Sequence, residues 1–132
     1  GTTISGAIVP RLIDEIPVLC LAAACARGRT RIRGAGELRH KESDRLVGIV
    51  EGLRALGAAV TLDGDDVTIE GGRDRPAFGL RGAATRSLAD HRLAMTFAIA
   101  GLLATGATTL DGGSAAAVSY PGFFTDLERV RA

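Results

Sequence analysis

The chain has 132 residues, 46% of them apolar but only 4% aromatic, and its 16 Lys+Arg against 15 Asp+Glu leave a formal charge of +1. That length holds one modest hydrophobic core, and the near-neutral balance argues against a nucleic-acid partner, which calls for a concentrated basic excess. Cationic residues cluster instead at 27–45 and 81–92, which suits a small anionic ligand better than a long polyanion.

In chain order, residues 2–9 read as extended. Asp14 stands as an N-cap to a run at 15–27 that is apolar on nearly every face, with Pro17 in the first turn, where a missing N–H costs little, and Gly28 as the stop. Cys20 and Cys25 lie in this run, with no histidine at metal-ligand spacing. They predict two buried, reduced thiols and hence a cytoplasmic setting. No signal peptide is legible, and the apolar runs are too short or too interrupted by glycine to span a bilayer. Residues 29–33 form a short strand. A helix beginning near 41–44 places Leu46, Ile49, Val50, Leu53 and Leu56 at helical spacing and ends at Gly57, the pattern of an amphipathic surface helix. The stretches 59–62 and 67–70 flank Asp63-Gly64-Asp65-Asp66, a hairpin signal.

The order then restarts. Residues 80–88 read as a strand, Asp90 caps an apolar helix at 93–104 with Gly106 as its stop, and 107–110 read as a second short strand. A last helix after Ser119 and Pro121 puts Phe123, Phe124, Leu127 and Val130 on one face. The two halves therefore repeat a strand–helix–strand–helix order, closed by a hairpin in the first copy. Helices apolar on most sides imply helices inside and sheets outside, the reverse of the usual layering.

The densest charge cluster is 37–45, E-L-R-H-K-E-S-D-R, at a helix start where free N–H groups and the dipole favour anions. Lys41 and Arg45 flank Glu42 there. The cluster reads equally as a solvated helix start capped by Ser43 or Asp44. His91 and Arg92 open the second apolar helix, where cations oppose the dipole unless an anion binds; they also read as side chains snorkelling to solvent. Asp14 taken alone is an ordinary cap, and Glu15 a first-turn acid favoured by the dipole. If the buried helices run parallel, these three mouths converge on one ligand, with carboxylates and cations suited to proton transfer on a phosphorylated or carboxylated substrate.

Five stretches together carry a resemblance: I-D-E-I-P-V-L at 13–19, L-R-H-K-E-S-D-R at 38–45, E-G-L-R-A-L-G at 51–57, D-H-R-L-A-M at 90–95 and S-Y-P-G-F-F at 119–124. In this order they resemble the EPSP synthases, the 3-phosphoshikimate 1-carboxyvinyltransferases. The resemblance implies an inside-out α/β barrel-type domain of repeated βαβαββ units. Two of its three units are present, at 1–72 and 73–132, as the C-terminal part of the C-terminal domain. It also implies enolpyruvyl transfer from phosphoenolpyruvate to the 5-hydroxyl of shikimate-3-phosphate, with no cofactor or metal and with a missing N-terminal domain as the partner.

By the same resemblance Glu42 moves the methylene proton and Asp14 contacts the 5-hydroxyl. Lys41 falls where a lysine meets the shikimate substrate, Arg45 and Arg92 where arginines bind phosphoenolpyruvate, and His91 beside them. Two positions depart: Val118 stands where some relatives have lysine, and Glu37 where some have asparagine. Two other readings stay open, a stand-alone anion-binding or interaction module and a nucleotide-sugar enolpyruvyl transferase. The K-E-S-D-R and D-H-R motifs argue against the latter.

Overall fold

The computed structural model describes residues 1–131. Each half is built on a parallel strand pair joined across a helix. In the first, β1 (Thr3–Ile4) pairs with β2 (Arg29–Ile32) through α2 (Ile16–Cys25); in the second, β5 (Ala84–Arg86) pairs with β6 (Thr109–Asp111) through α4 (His91–Leu103). The first half continues through α3 (Arg45–Ala55) into an antiparallel hairpin, β3 (Ala59–Asp63) and β4 (Asp66–Glu70). The resulting sheet has the order β1-β2-β4-β3. The second half ends in α5 (Phe123–Arg131), with no hairpin after it among the described residues.

Side chains on β2 alternate between exposed and buried, so each sheet has a dry face and a wet one. The dry faces of β2 and β4 put Ile32, Val67 and Ile69 against the helices. Helices therefore lie inside and strands outside, as the apolar pattern predicts.

At the centre α3 meets α4. Leu93 and Phe97, one turn apart, press on Gly48 and Gly52, also one turn apart. A Cβ at Gly52 would lie 2.0 Å from Phe97 Cζ, and one at Gly48 would lie 2.7 Å from Leu93 Cδ1. The predicted stripe of α3 (Leu46, Ile49, Val50, Leu53) is fully buried, and Arg45 and Gly48 are buried as well. This helix is amphipathic as expected, with Glu51, Arg54 and Ala55 exposed, but its buried side is widened by the glycines that meet α4.

Several boundaries differ from the sequence-based expectations for physical reasons. The extended stretch at 2–9 stops at β1, because Gly6 takes a left-handed φ of +71° and a one-turn helix α1 (Ile8–Arg11) follows. Pro10 is tolerated there because a first-turn N–H has no partner to lose. Asp14 is not a cap: it lies in a 3-10 turn (Ile13–Glu15), the N-cap of α2 is Glu15, and no side chain caps that helix. The strand at 80–88 shrinks to β5: beyond it Leu88 and Ala89 adopt φ of +55° and +56°, and before it Arg81 makes only an isolated bridge to Thr105. Along α5 only Phe123 is buried; Phe124 and Val130 stay exposed. The expected second unit, 73–132, ends on Ala132, outside the described residues.

Candidate active site

Arg45 opens α3 with its side chain only 1% exposed. A guanidinium cannot shed its charge on burial, so it must be met by acceptors. Three carboxylates meet it: Nε donates to Asp90 Oδ2 at 2.7 Å, Nη1 donates to Asp14 Oδ1 at 2.9 Å, and Nη2 donates to Glu42 Oε2. Burial by itself lowers the pKa of Arg45, but the hydrogen bond and charge of Asp90, the charge of Glu42 and the Asp14 hydrogen bond outweigh it and raise the group above its ordinary value. The guanidinium is a fixed cation.

Those acids come from the mouths of three helices. Asp14 sits in the turn leading into α2, Glu42 in the loop leading into α3, and Asp90 is the N-cap of α4. Arg45 ties them together, so the predicted convergence of helix starts is present. Lys41 Nζ stands 3.8 Å from Asp14 Oδ1, and both Asp14 and Glu42 keep about half their side-chain surface open, at 48% and 51%. These carboxylates are reachable by a ligand; Asp90, at 0%, is not.

Asp90 is the residue that sequence reasoning read only as a cap. Its Oδ1 accepts from the backbone N–H groups of Arg92 and Leu93, at 2.9 and 3.4 Å, while Oδ2 accepts from Arg45 and from Ser43 Oγ at 2.9 Å. One buried carboxylate thus locks the start of α4 to the start of α3. The signal for it was indirect: Arg45 lies one turn before Ile49 and so shares the buried face of α3, where a guanidinium calls for an acid. The left-handed pair Leu88–Ala89 delivers Asp90 to that place, steadied by Ser87 Oγ, which accepts from Ala89 N at 3.2 Å and donates to Gly112 O at 2.8 Å. Backbone strain of this kind costs on the order of 1–3 kcal/mol per residue and persists where the surroundings enforce it.

Arg92 donates through Nη1 to Glu15 Oε1 at 2.9 Å, so Glu15, which stands at the N-cap of α2 rather than in its first turn, is an ion-pair partner. Its Nε is withdrawn from solvent without a hydrogen-bond partner among the described residues. A buried donor left unpaired is unfavourable, and a carboxylate or phosphate oxygen would satisfy it. A cavity of about 240 Å³ opens here, lined by Asp14, Glu15 and Arg92 together with Val18, Ile99 and Phe123. His91, the first residue of α4, is half-buried and makes no side-chain hydrogen bond among the described residues. Val118 is 77% exposed in a 3-10 turn (Gly113–Val118) and adds no charge. Among the described residues, no three His, Cys, Asp or Glu side chains are gathered for a metal ion.

Known proteins resemble this chain along nearly its whole length. The family model for EPSP synthase (3-phosphoshikimate 1-carboxyvinyltransferase) matches residues 1–127. The chain belongs to the EPSP synthase family. The 3-phosphoshikimate 1-carboxyvinyltransferase of Roseiflexus castenholzii is 56% identical over 131 residues, which is 99% of this chain and 29% of that protein. The corresponding protein of a Roseiflexus species is 58% identical over 130 residues, again 29% of its length. Among solved structures, an EPSP synthase from Acinetobacter baumannii superposes with a TM-score of 0.83 at 42% identity, covering 92% of this chain and 28% of that one. The enolpyruvyl transferase NikO from Streptomyces tendae follows at a TM-score of 0.65 and 30% identity, covering 88% and 24%. The EPSP synthase segment seen here therefore spans somewhat under a third of the length of its relatives. Among its described residues no helix is long and apolar enough to cross a membrane.

Proposed function

We propose that the protein to which this chain belongs transfers the enolpyruvyl group of phosphoenolpyruvate to the 5-hydroxyl of shikimate-3-phosphate and releases phosphate. The observation that carries this reading is the Arg45 hub, which holds Asp14 and Glu42 side by side at one ligand-accessible place, with Lys41 and Arg92 supplying further positive charge nearby. In the proposed chemistry Glu42 gives a proton to the methylene carbon of phosphoenolpyruvate, making the adjacent carbon electrophilic. The 5-hydroxyl oxygen adds to that carbon as Asp14 takes its proton. Phosphate then leaves with the proton held by Asp14, and return of a methyl proton to Glu42 forms the enol ether and restores both carboxyl groups.

Arg45 holds these two acid–base groups at one place, which is the positioning that general acid–base catalysis asks for. Lys41 serves the shikimate substrate near its reacting hydroxyl. Arg92, with its unpaired Nε, receives phosphoenolpyruvate, and His91 stands beside it; Arg45, closed to solvent by three carboxylates, joins them when Asp14 or Glu42 yields a guanidinium nitrogen to the ligand. An opposing wall supplied by the rest of the protein would exclude water and strengthen every one of these interactions.

The same proposal treats 1–72 and 73–132 as the last two repeat units of a C-terminal domain, in a protein that works in the cytoplasm. The isolated chain then has no measurable turnover, because half of the substrate contacts lie elsewhere. The test is phosphate release by the full-length protein with both substrates and with each alone. Release that requires both supports the proposal. No release with the pair, or transfer to a nucleotide sugar instead, overturns it.

A further inference from the structure

The loop that carries Lys41 and Glu42 is held from outside by the tip of the β3–β4 hairpin. Gly34 N donates to Asp66 Oδ1 at 2.8 Å and Ala35 N donates to Asp65 O at 2.9 Å. Arg39 Nε then donates to Asp65 Oδ1 at 2.9 Å, and Nη2 donates to Gly64 O at 2.7 Å. The fit is close: a Cβ on Gly36 would lie 2.5 Å from Asp65 Oδ2. The tip itself is a two-residue turn between the paired Asp63 and Asp66, with Gly64 at φ +58° as such turns require.

Arg39 also reaches the far end of the loop, since its Nη1 lies 3.5 Å from Oδ2 of Asp44, the residue whose other oxygen caps α3 by accepting from Val47 N. One guanidinium therefore spans residues 39 and 44 and pins both to the hairpin. Lys41 and Glu42 project from the short segment closed between them. Leu38, fully buried, anchors the preceding turn in the core, but nothing apolar anchors residues 39–42, all of which are exposed or half-buried.

We propose that Arg39 and Asp65 are positioning residues for the Lys41–Glu42 segment: they form a latch between hairpin tip and loop that fixes where Glu42 stands. This rests on the reading of Glu42 as the proton-moving group. Solvent-exposed ion pairs contribute little to global stability. Misplacing a reacting group by about 1 Å, by contrast, lowers the rate by up to about a hundredfold. The latch thus acts mainly on turnover.

The experiment uses the full-length protein with Arg39→Ala, Asp65→Ala, the double variant and Asp65→Asn, which keeps an acceptor for Arg39. The expected result is a fall in kcat of about tenfold in each alanine variant, with both KM values within about twofold and the unfolding midpoint nearly unchanged. The double variant should be no worse than either single one, as for residues acting through one contact, and Asp65→Asn should recover most of the rate. A raised KM with unchanged kcat, or kcat within twofold of the parent in both single variants, overturns the latch. Amide hydrogen exchange at 40–44 supplies a readout independent of the reaction. Faster exchange in Asp65→Ala supports the latch even if the proposed activity fails, and unchanged exchange overturns it.

Discussion

The guanidinium of Arg45 donates from Nε to the buried carboxylate of Asp90 across 2.7 Å, joining the first residue of α3 to the N-cap of α4 with both side chains closed to water. Taking away the Asp90 charge leaves the buried guanidinium with the partly exposed Asp14 and Glu42 as its remaining counter-ions, a loss of about 1–3 kcal/mol. We expect Asp90→Asn to lose that much in urea unfolding, and Asp90→Ala to lose about 1 kcal/mol more because the cap goes too. A loss under about 1 kcal/mol in both would show that the pair does not hold the two helix mouths together.

The glycine pair on α3 gives a second expectation, opposite to helix propensity. Alanine in a helix interior is favoured over glycine by about 1 kcal/mol. At Gly52, however, the added methyl would meet the fully buried Phe97 ring, which would have to shift. Overpacking of this kind costs about 1–3 kcal/mol. Gly52→Ala should therefore lower the unfolding midpoint, while Gly52→Ala combined with Phe97→Leu should recover part of the loss.

Burial pushes the Cys20 thiol up from 9.0 to about 12. Above about pH 9 the unfolded chain loses a proton that the folded chain keeps, so this contribution to stability is full below about pH 9 and declines as the pH rises toward about 12. The decline should be about 1 kcal/mol between about pH 9 and about pH 10. Comparing the pH dependence of unfolding for the parent and Cys20→Ala isolates it: the variant should show the shallower slope.

Val18, Leu102, Phe124 and Val130 are exposed apolar side chains on α2, α4 and α5. Where such side chains adjoin in one patch, a chain tends to cover it. Sedimentation of the isolated 132 residues should show concentration-dependent association, and a strictly monomeric profile would contradict this.

Much of this arrangement was legible in the sequence because it is written in local chemistry. The hairpin followed from Gly64 between alternating strands, α4 from Asp90 and its apolar run, and the repeat from two similarly punctuated halves. What escaped were features set by tertiary contact. Asp14 resembles a cap in sequence, but the 3-10 turn places it against Arg45 instead. The close approach of α3 and α4 depends on Leu93 and Phe97 meeting Gly48 and Gly52, which no local pattern announces. Asp90 showed its capping oxygen in the sequence, whereas its second oxygen depends on a residue 45 positions away. Motif resemblance supplied the candidate site residues, and the structure adds that one arginine organises three of the acids around it.

The most direct measurement is the turnover of the full-length protein carrying Glu42→Gln, followed as phosphate release with both substrates present. Glutamine keeps the size of the side chain and an oxygen that accepts from Arg45, but it removes the transferable proton. The account predicts a fall in kcat of about a hundredfold or more, in the range that general acid–base catalysis contributes, with an unchanged unfolding midpoint. Turnover within about twofold of the parent would contradict it.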